Sequence, residues 1–128
     1  MDSSAAKAPF ISCTLTKRSP TPARSRWILN SVEIEVRDYR IRHGHMDDWI
    51  AGWLAGVVPL REAAGFRILG AWVDREHDRF FWVIGYSGAD GFAAANDRYY
   101  ASQERVSLTP DPAELIEDAA ATAVERVL

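Results

Sequence analysis

Two groups of side chains in this chain of 128 residues have the types and spacing for chemistry. The first is residues 43–48, HGHMDD, which places His43, His45 and Asp47 at alternate positions with Asp48 next to them. Imidazole nitrogens and carboxylate oxygens are zinc donors, but a site needs several of them converging. The chain has one further histidine, His77, between Glu76 and Asp78. That donor count is too small, so residues 43–48 are read as a solvated strand-to-helix turn and residues 76–78 as a polar hairpin tip. The second group is Arg37 and Tyr39, beside Glu35 on one strand. A guanidinium can hold a carboxylate or enolate while a phenol donates a hydrogen bond. The favoured reading is structural, with Glu35 and Arg37 as an ion pair in the barrel between two sheets. No cysteine–histidine or serine–histidine–aspartate arrangement is supported, the sole cysteine being Cys13. Gly85, Gly88 and Gly91 do not have dinucleotide-loop spacing.

Aromatic residues supply the rest of a candidate pocket. Ligand pockets are mostly apolar with a few placed polar groups. Trp53, Trp72, Trp82 and Tyr99 therefore join Arg37 and Tyr39 as ligand-pocket candidates, although core or dimer packing is the favoured role for the tryptophans.

The elements that must position these residues follow from periodicity. Residues 32–36 (VEIEV) alternate apolar and polar, the period of a strand. Val32, Ile34 and Val36 form one face; Glu33, Glu35, Arg37, Tyr39 and Ile41 form the other. Gly44 ends the strand, and Asp47 and Asp48 suit the positive end of a helix dipole. Ile50, Trp53, Leu54, Val57 and Ala64 make a helical stripe, with Pro59 expected to kink it and Gly65 to cap it. Residues 66–74 and 79–87 predict a hairpin of strands apolar on both faces, in which Phe66, Ile68 and Trp72 oppose Leu69, Ala71 and Val73. Residues 89–102 predict a helix with Phe92, Ala95 and Tyr99 inward. A short helical piece over 113–118 and a fourth strand over 119–128 complete the order.

Charge divides the chain. Residues 1–31 carry Lys7, Lys17, Arg18, Arg24 and Arg26 against Asp2 alone, within an overall net charge of −3. They read as a disordered or poorly ordered basic tail, rich in Ser, Ala and Pro, with some likeness to an organelle transit peptide. Residues 32–128 form the domain. Its acidic balance disfavours nucleic acid, and no apolar run approaches the ~18 residues of a membrane span. One cysteine gives no disulfide framework, so a cytoplasmic location is expected.

The order βαββαβ gives an α+β, ferredoxin-like domain. Two right-handed crossovers put both helices on one face of a four-stranded antiparallel sheet. The other face stays apolar and uncovered, an unusually large exposed patch. A second copy, packed sheet-to-sheet about a two-fold axis, is the expected cover.

Several segments carry a family resemblance. Residues 32–49 (VEIEVRDYRIRHGHMDDW) resemble the opening strand, glycine turn and helix start of the NIPSNAP-like group within the dimeric α/β-barrel superfamily. Residues 58–62 (VPLRE) with Gly65 resemble its first-helix end. Residues 81–83 (FWV) resemble its third strand, and 99–105 (YYASQER) the segment after its second helix. The resemblance covers residues 32–128. An arginine that often follows the tryptophan in that third strand is absent here, where Ile84 and Gly85 stand, so its role does not transfer. Residues 43–48 also resemble the HxHxDH motif of metallo-β-lactamase-type hydrolases, but Asp48 replaces its last histidine and the chain is too short for that fold.

The superfamily resemblance implies cofactor-free monooxygenases, haem-degrading enzymes, cyclases, isomerases and proteins of no known reaction. Residues 89–102 lack the helix histidine of the haem-degrading members. The resulting expectation is a homodimeric small-molecule-binding domain with no metal, no cofactor and no catalytic motif, and a small aromatic compound as its ligand. The alternative is a cofactor-free monooxygenase, cyclase or isomerase acting on an aromatic or polyketide-like compound, with Arg37, Tyr39, Trp82 and Tyr99 polarising and stacking. A gap between sheet and helices filled by Trp53, Phe81 and Phe92 would favour the non-catalytic reading.

Overall fold

The computed structural model describes residues 32–128; the expected tail, its transit-peptide likeness and Cys13 lie outside the described residues. Strands β1 (Glu33–Ile41), β2 (Arg67–Asp74), β3 (Arg79–Tyr86) and β4 (Ile116–Val124) form one antiparallel sheet in the order β2-β3-β1-β4. Between β1 and β2 run α1 (Met46–Gly52), a π turn (Trp53–Val57) and α2 (Val58–Ala63). After β3 come α3 (Phe92–Ala101), a short α4 (Gln103–Val106) and a 3₁₀ turn (Pro112–Leu115). The domain is α+β and ferredoxin-like, with helices covering one face of an otherwise open sheet.

The face of β1 turned to the helices is the polar one. Arg37, Tyr39 and Ile41 are buried against them, whereas Ile34 and Val36 sit half-buried on the open face. The reason is that the helices bring polar partners of their own. The Phe92 N–H at the start of α3 donates to Glu33 Oε1 (2.8 Å), satisfying one of the unpaired amides of a helix start. The ion pair of Glu35 and Arg37 forms as expected, at 2.7 Å, but between sheet and helices rather than between two sheets.

Pro59 does not lie in the last turns of one continuous α-helix. It stands in the first turn of α2, directly after the π turn. Proline has no N–H for the helical ladder, and a π turn is where a ladder slips register. The slip changes which residues face inward. Trp49, Trp53, Val57 and Arg61 all turn to the core at spacings of four. In a regular α-helix, three steps of four would rotate the stripe by about 120°. Leu54, expected in that stripe, is 57% exposed instead.

Gly65 closes α2 at φ +97°, a backbone conformation that side chains rarely adopt, as a C-terminal glycine cap should. Gly65→Ala is expected to destabilise the domain by about 1–2 kcal/mol. Urea denaturation measures it, and an unchanged midpoint would show that the cap tolerates a side chain.

β2 contains a bulge between Ile68 and Gly70. One extra residue sends every later side chain to the opposite face. Ile68, Ala71 and Val73 therefore pair with the helix-side residues Ile84, Trp82 and Phe80. Trp72 pairs with Phe81 on the open face and is 59% exposed. A Cβ at Gly70 would lie 2.6 Å from the Trp72 ring, so that indole requires glycine beneath it.

Candidate functional site

The core between sheet and helices is a box of aromatic rings. Trp53 meets Trp82 and Phe80 edge-on, with ring centres 5.5 and 5.0 Å apart, and Tyr39 meets Trp49 at 5.7 Å and Trp82 at 6.3 Å. Phe66 meets Phe92 at 5.3 Å and Tyr99 at 6.4 Å. Edge-to-face pairs like these add modestly to area burial.

Inside the box lie two arginines. Arg37 is 5% exposed and Arg61 1%. The Arg37 guanidinium donates from Nε to Glu35 Oε1 (2.7 Å), from Nη1 to the hydroxyls of Tyr39 (3.1 Å) and Tyr100 (3.4 Å), and from Nη2 to Asn96 Oδ1 (3.3 Å). Arg61 donates to the same Asn96 oxygen (2.9 Å) and the same Tyr100 hydroxyl (3.2 Å). Its guanidinium carbon lies 3.8 Å from the Tyr99 ring centre and 4.7 Å from that of Phe66. Asn96 and Tyr100 are four residues apart on α3, the helical spacing that puts both on one side.

The electrostatics follow. Burial works to lower the Arg37 pKa, but Tyr39, Tyr100 and Glu35 outweigh it and hold it well above the usual arginine value. Burial lowers that of Arg61, with the Arg37 charge acting in the same direction. Burial raises Tyr39 and Tyr99. Tyr100 goes the other way: burial works to raise it, yet the charges of Arg37 and Arg61 bring it below the usual phenol value.

Several buried polar atoms here have no hydrogen-bond partner among the described residues. They are Nε1 of Trp49, Trp53 and Trp82, Nε of Arg61 and the Tyr99 hydroxyl. Such an atom costs about 1–3 kcal/mol when nothing binds it. Native cores hold few of them.

Of the six expected pocket residues, Arg37, Tyr39, Trp53, Trp82 and Tyr99 meet in this cluster, and Trp72 is on the other side of the sheet. Phe81, expected to fill the sheet–helix gap with Trp53 and Phe92, likewise lies on the open face, paired with Trp72 and Asp38. Arg61, Asn96 and Tyr100 are additions to the expected pocket residues. The three histidines are elsewhere, partly or largely exposed, beside Asp78, Asp48 and Asp74. Among the described residues no group of three or more histidine, cysteine or acidic side chains is placed to hold a metal ion.

The fold and the cluster together define a ferredoxin-like α+β domain with an aromatic-walled basic core, in which no described histidine takes part. A model of the NIPSNAP family matches residues 34–124, and the chain belongs to that family. A NIPSNAP family protein from Agrobacterium tumefaciens is similar in structure, with a TM-score of 0.67 and 20% identity over 77% of this chain and 88% of that one. An uncharacterised NIPSNAP domain protein from Burkholderia xenovorans gives 0.65 and 17% over 76% and 95%. A putative antibiotic biosynthesis monooxygenase from Bacteroides thetaiotaomicron gives 0.61 and 10% over 78% and 93%. At these identities the likeness concerns the fold. No curated protein matches the chain.

Proposed function

We propose that this NIPSNAP domain is a homodimeric, cytoplasmic small-molecule-binding module whose ligand is an aromatic compound held between sheet and helices. The observation that carries it is the set of orphaned donors around one aromatic box: three indole N–H groups, Arg61 Nε and the Tyr99 hydroxyl. A core built only for packing gains nothing from burying them. A ligand with acceptor atoms offsets their cost. Apolar walls with a few directed donors are the usual make-up of a small-molecule site. A thermal-shift screen of small aromatic compounds on the full chain tests this. Tm is expected to rise for aromatic compounds bearing acceptors and not for aliphatic ones of equal size, and equal responses would refute the reading.

The dimer rests on the open face. Trp72 and Val124 are exposed there, and Ile34, Val36, Phe81 and Val83 are only half covered. The Asp38–Arg79 ion pair, with Arg79 over Phe81, marks the polar end of the same face. A second copy presents a matching surface about a two-fold axis. Sedimentation at micromolar concentration is expected to give a dimer, and Trp72→Glu a shift toward monomer. A stable wild-type monomer would sink this part of the proposal. Among the described residues no helix is long and apolar enough to cross a membrane. The single cysteine of the chain suits a reducing compartment.

One observation favours the second reading, a cofactor-free monooxygenase, cyclase or isomerase. The Tyr100 hydroxyl accepts from two guanidiniums, which is how a phenolate is stabilised as a base. Loss of turnover on Tyr100→Phe, with ligand affinity kept, would separate catalysis from binding.

A further inference from the structure

Resting on the small-molecule reading above, we propose that the ligand is a planar organic monoanion, a carboxylate or an enolate, whose charge lies against Arg37 and Arg61. Charge accounting carries this. A guanidinium stays protonated when buried. Arg37 has Glu35 as its counter-ion. Arg61, 1% exposed, has neutral acceptors and ring faces but no carboxylate partner among the described residues. Arg105, whose guanidinium is 5.6 Å from the Tyr100 ring centre, is already paired with Asp111 and leaves the balance unchanged. Among the described residues the cluster therefore holds one positive charge in excess. Leaving a buried cation uncompensated is strongly unfavourable.

Geometry selects the kind of anion. Asn96 Oδ1 and the Tyr100 hydroxyl each accept from both arginines, so the two planar forks converge on these two side-chain oxygens, which an anion would have to join or replace. Arg61 Nε is a further donor with no partner among the described residues. Planar forks match the two oxygens of a carboxylate. A single negative charge closes the imbalance, whereas the nearly double charge of a phosphate monoester would reverse it. Rings supply the walls, which suits an anion attached to an aromatic or conjugated body.

Ala119, Ala121 and Ala123 of β4 stand opposite Tyr39, Arg37 and Glu35 and are exposed, whereas Arg37 and Tyr39 themselves are buried.

Titration calorimetry and thermal shift on the full chain, comparing benzoate with benzamide, test the proposal with one ring and two charges. Benzoate is expected to raise Tm and to bind at least about tenfold more tightly than benzamide. Arg61→Met is expected to keep or raise the ligand-free Tm, since it removes an uncompensated buried cation, and to lose the preference for benzoate. Arg61→Lys keeps the charge without the fork and is expected to weaken that preference, which gives a second variant should methionine disturb the fold. Equal binding of benzoate and benzamide would overturn the anion proposal and leave the small-molecule reading standing. No response to either compound would overturn both. A tyrosinate absorbance band titrating near neutral pH in the ligand-free chain would also overturn the proposal, because Tyr100 would then supply the missing negative charge.

Discussion

Arg37→Met is expected to cost the domain about 3–5 kcal/mol of unfolding free energy, the loss seen when one partner is removed from a buried ion pair. Glu35 would be left mostly buried, without the donor now 2.7 Å away. Tyr39 would lose the donor to its hydroxyl in a fully enclosed position. Relief of the repulsion between Arg37 and Arg61 offsets part of this and places the expected value toward the lower end. The same substitution at Arg61 breaks two bonds to neutral acceptors and strands no charge. The two variants should therefore differ widely although both remove an arginine from one cluster. Urea unfolding with matched slopes measures the difference. A cycle through Glu35→Gln isolates the ion pair, and the double variant should recover a part of the single loss. Equal losses at Arg37 and Arg61 would show that the charge balance described above is wrong.

How far the sequence reached can be seen at these residues. The alternation of β1 was legible, and so was the grouping of Glu35, Arg37 and Tyr39 on one face. Which face the helices would cover was not legible, because an apolar face ordinarily turns inward. The polar face won because Arg61, Asn96 and Tyr100 satisfy it from the helix side. Arg61 itself escaped because periodicity of 3.6 puts residues 49, 53, 57 and 61 on a drifting stripe. Only a π turn aligns them, and the available signal was Pro59, which breaks the ladder next to it. Trp72 was misplaced for a similar reason. Nothing in the alternation of residues 66–74 shows that one residue is extra, although Gly70, which alone fits under the Trp72 indole, marks the spot. The helix stripe of Phe92, Ala95 and Tyr99 and the Gly65 cap needed no such slip and stand where periodicity put them.

Trp82→Ala is expected to cost about 3–5 kcal/mol through lost burial and the cavity left behind. That is a large share of the 5–15 kcal/mol typical of a whole domain. Trp82 is 1% exposed and faces Arg37 across the strand pair. Its ring centre lies 5.5 Å from that of Trp53, and the Arg37 and Arg61 guanidinium carbons lie 5.6 and 5.9 Å from it. The cavity would thus have an aromatic wall and a doubly basic wall. Indole should enter it and raise Tm, as apolar cavities of this kind accept small rings. Indole-3-carboxylate should raise Tm further, because it also brings the negative charge that Arg61 lacks. Trp82→Phe separates the ring from its N–H. Since Trp82 Nε1 has no partner among the described residues, removing that group offsets part of the lost ring area. The expected order of ligand-free stability is therefore wild type close to Trp82→Phe, and Trp82→Ala far below. If phenylalanine costs nearly as much as alanine, the indole N–H is bonded in the folded protein, and the donor set that carries the binding proposal loses one of its members.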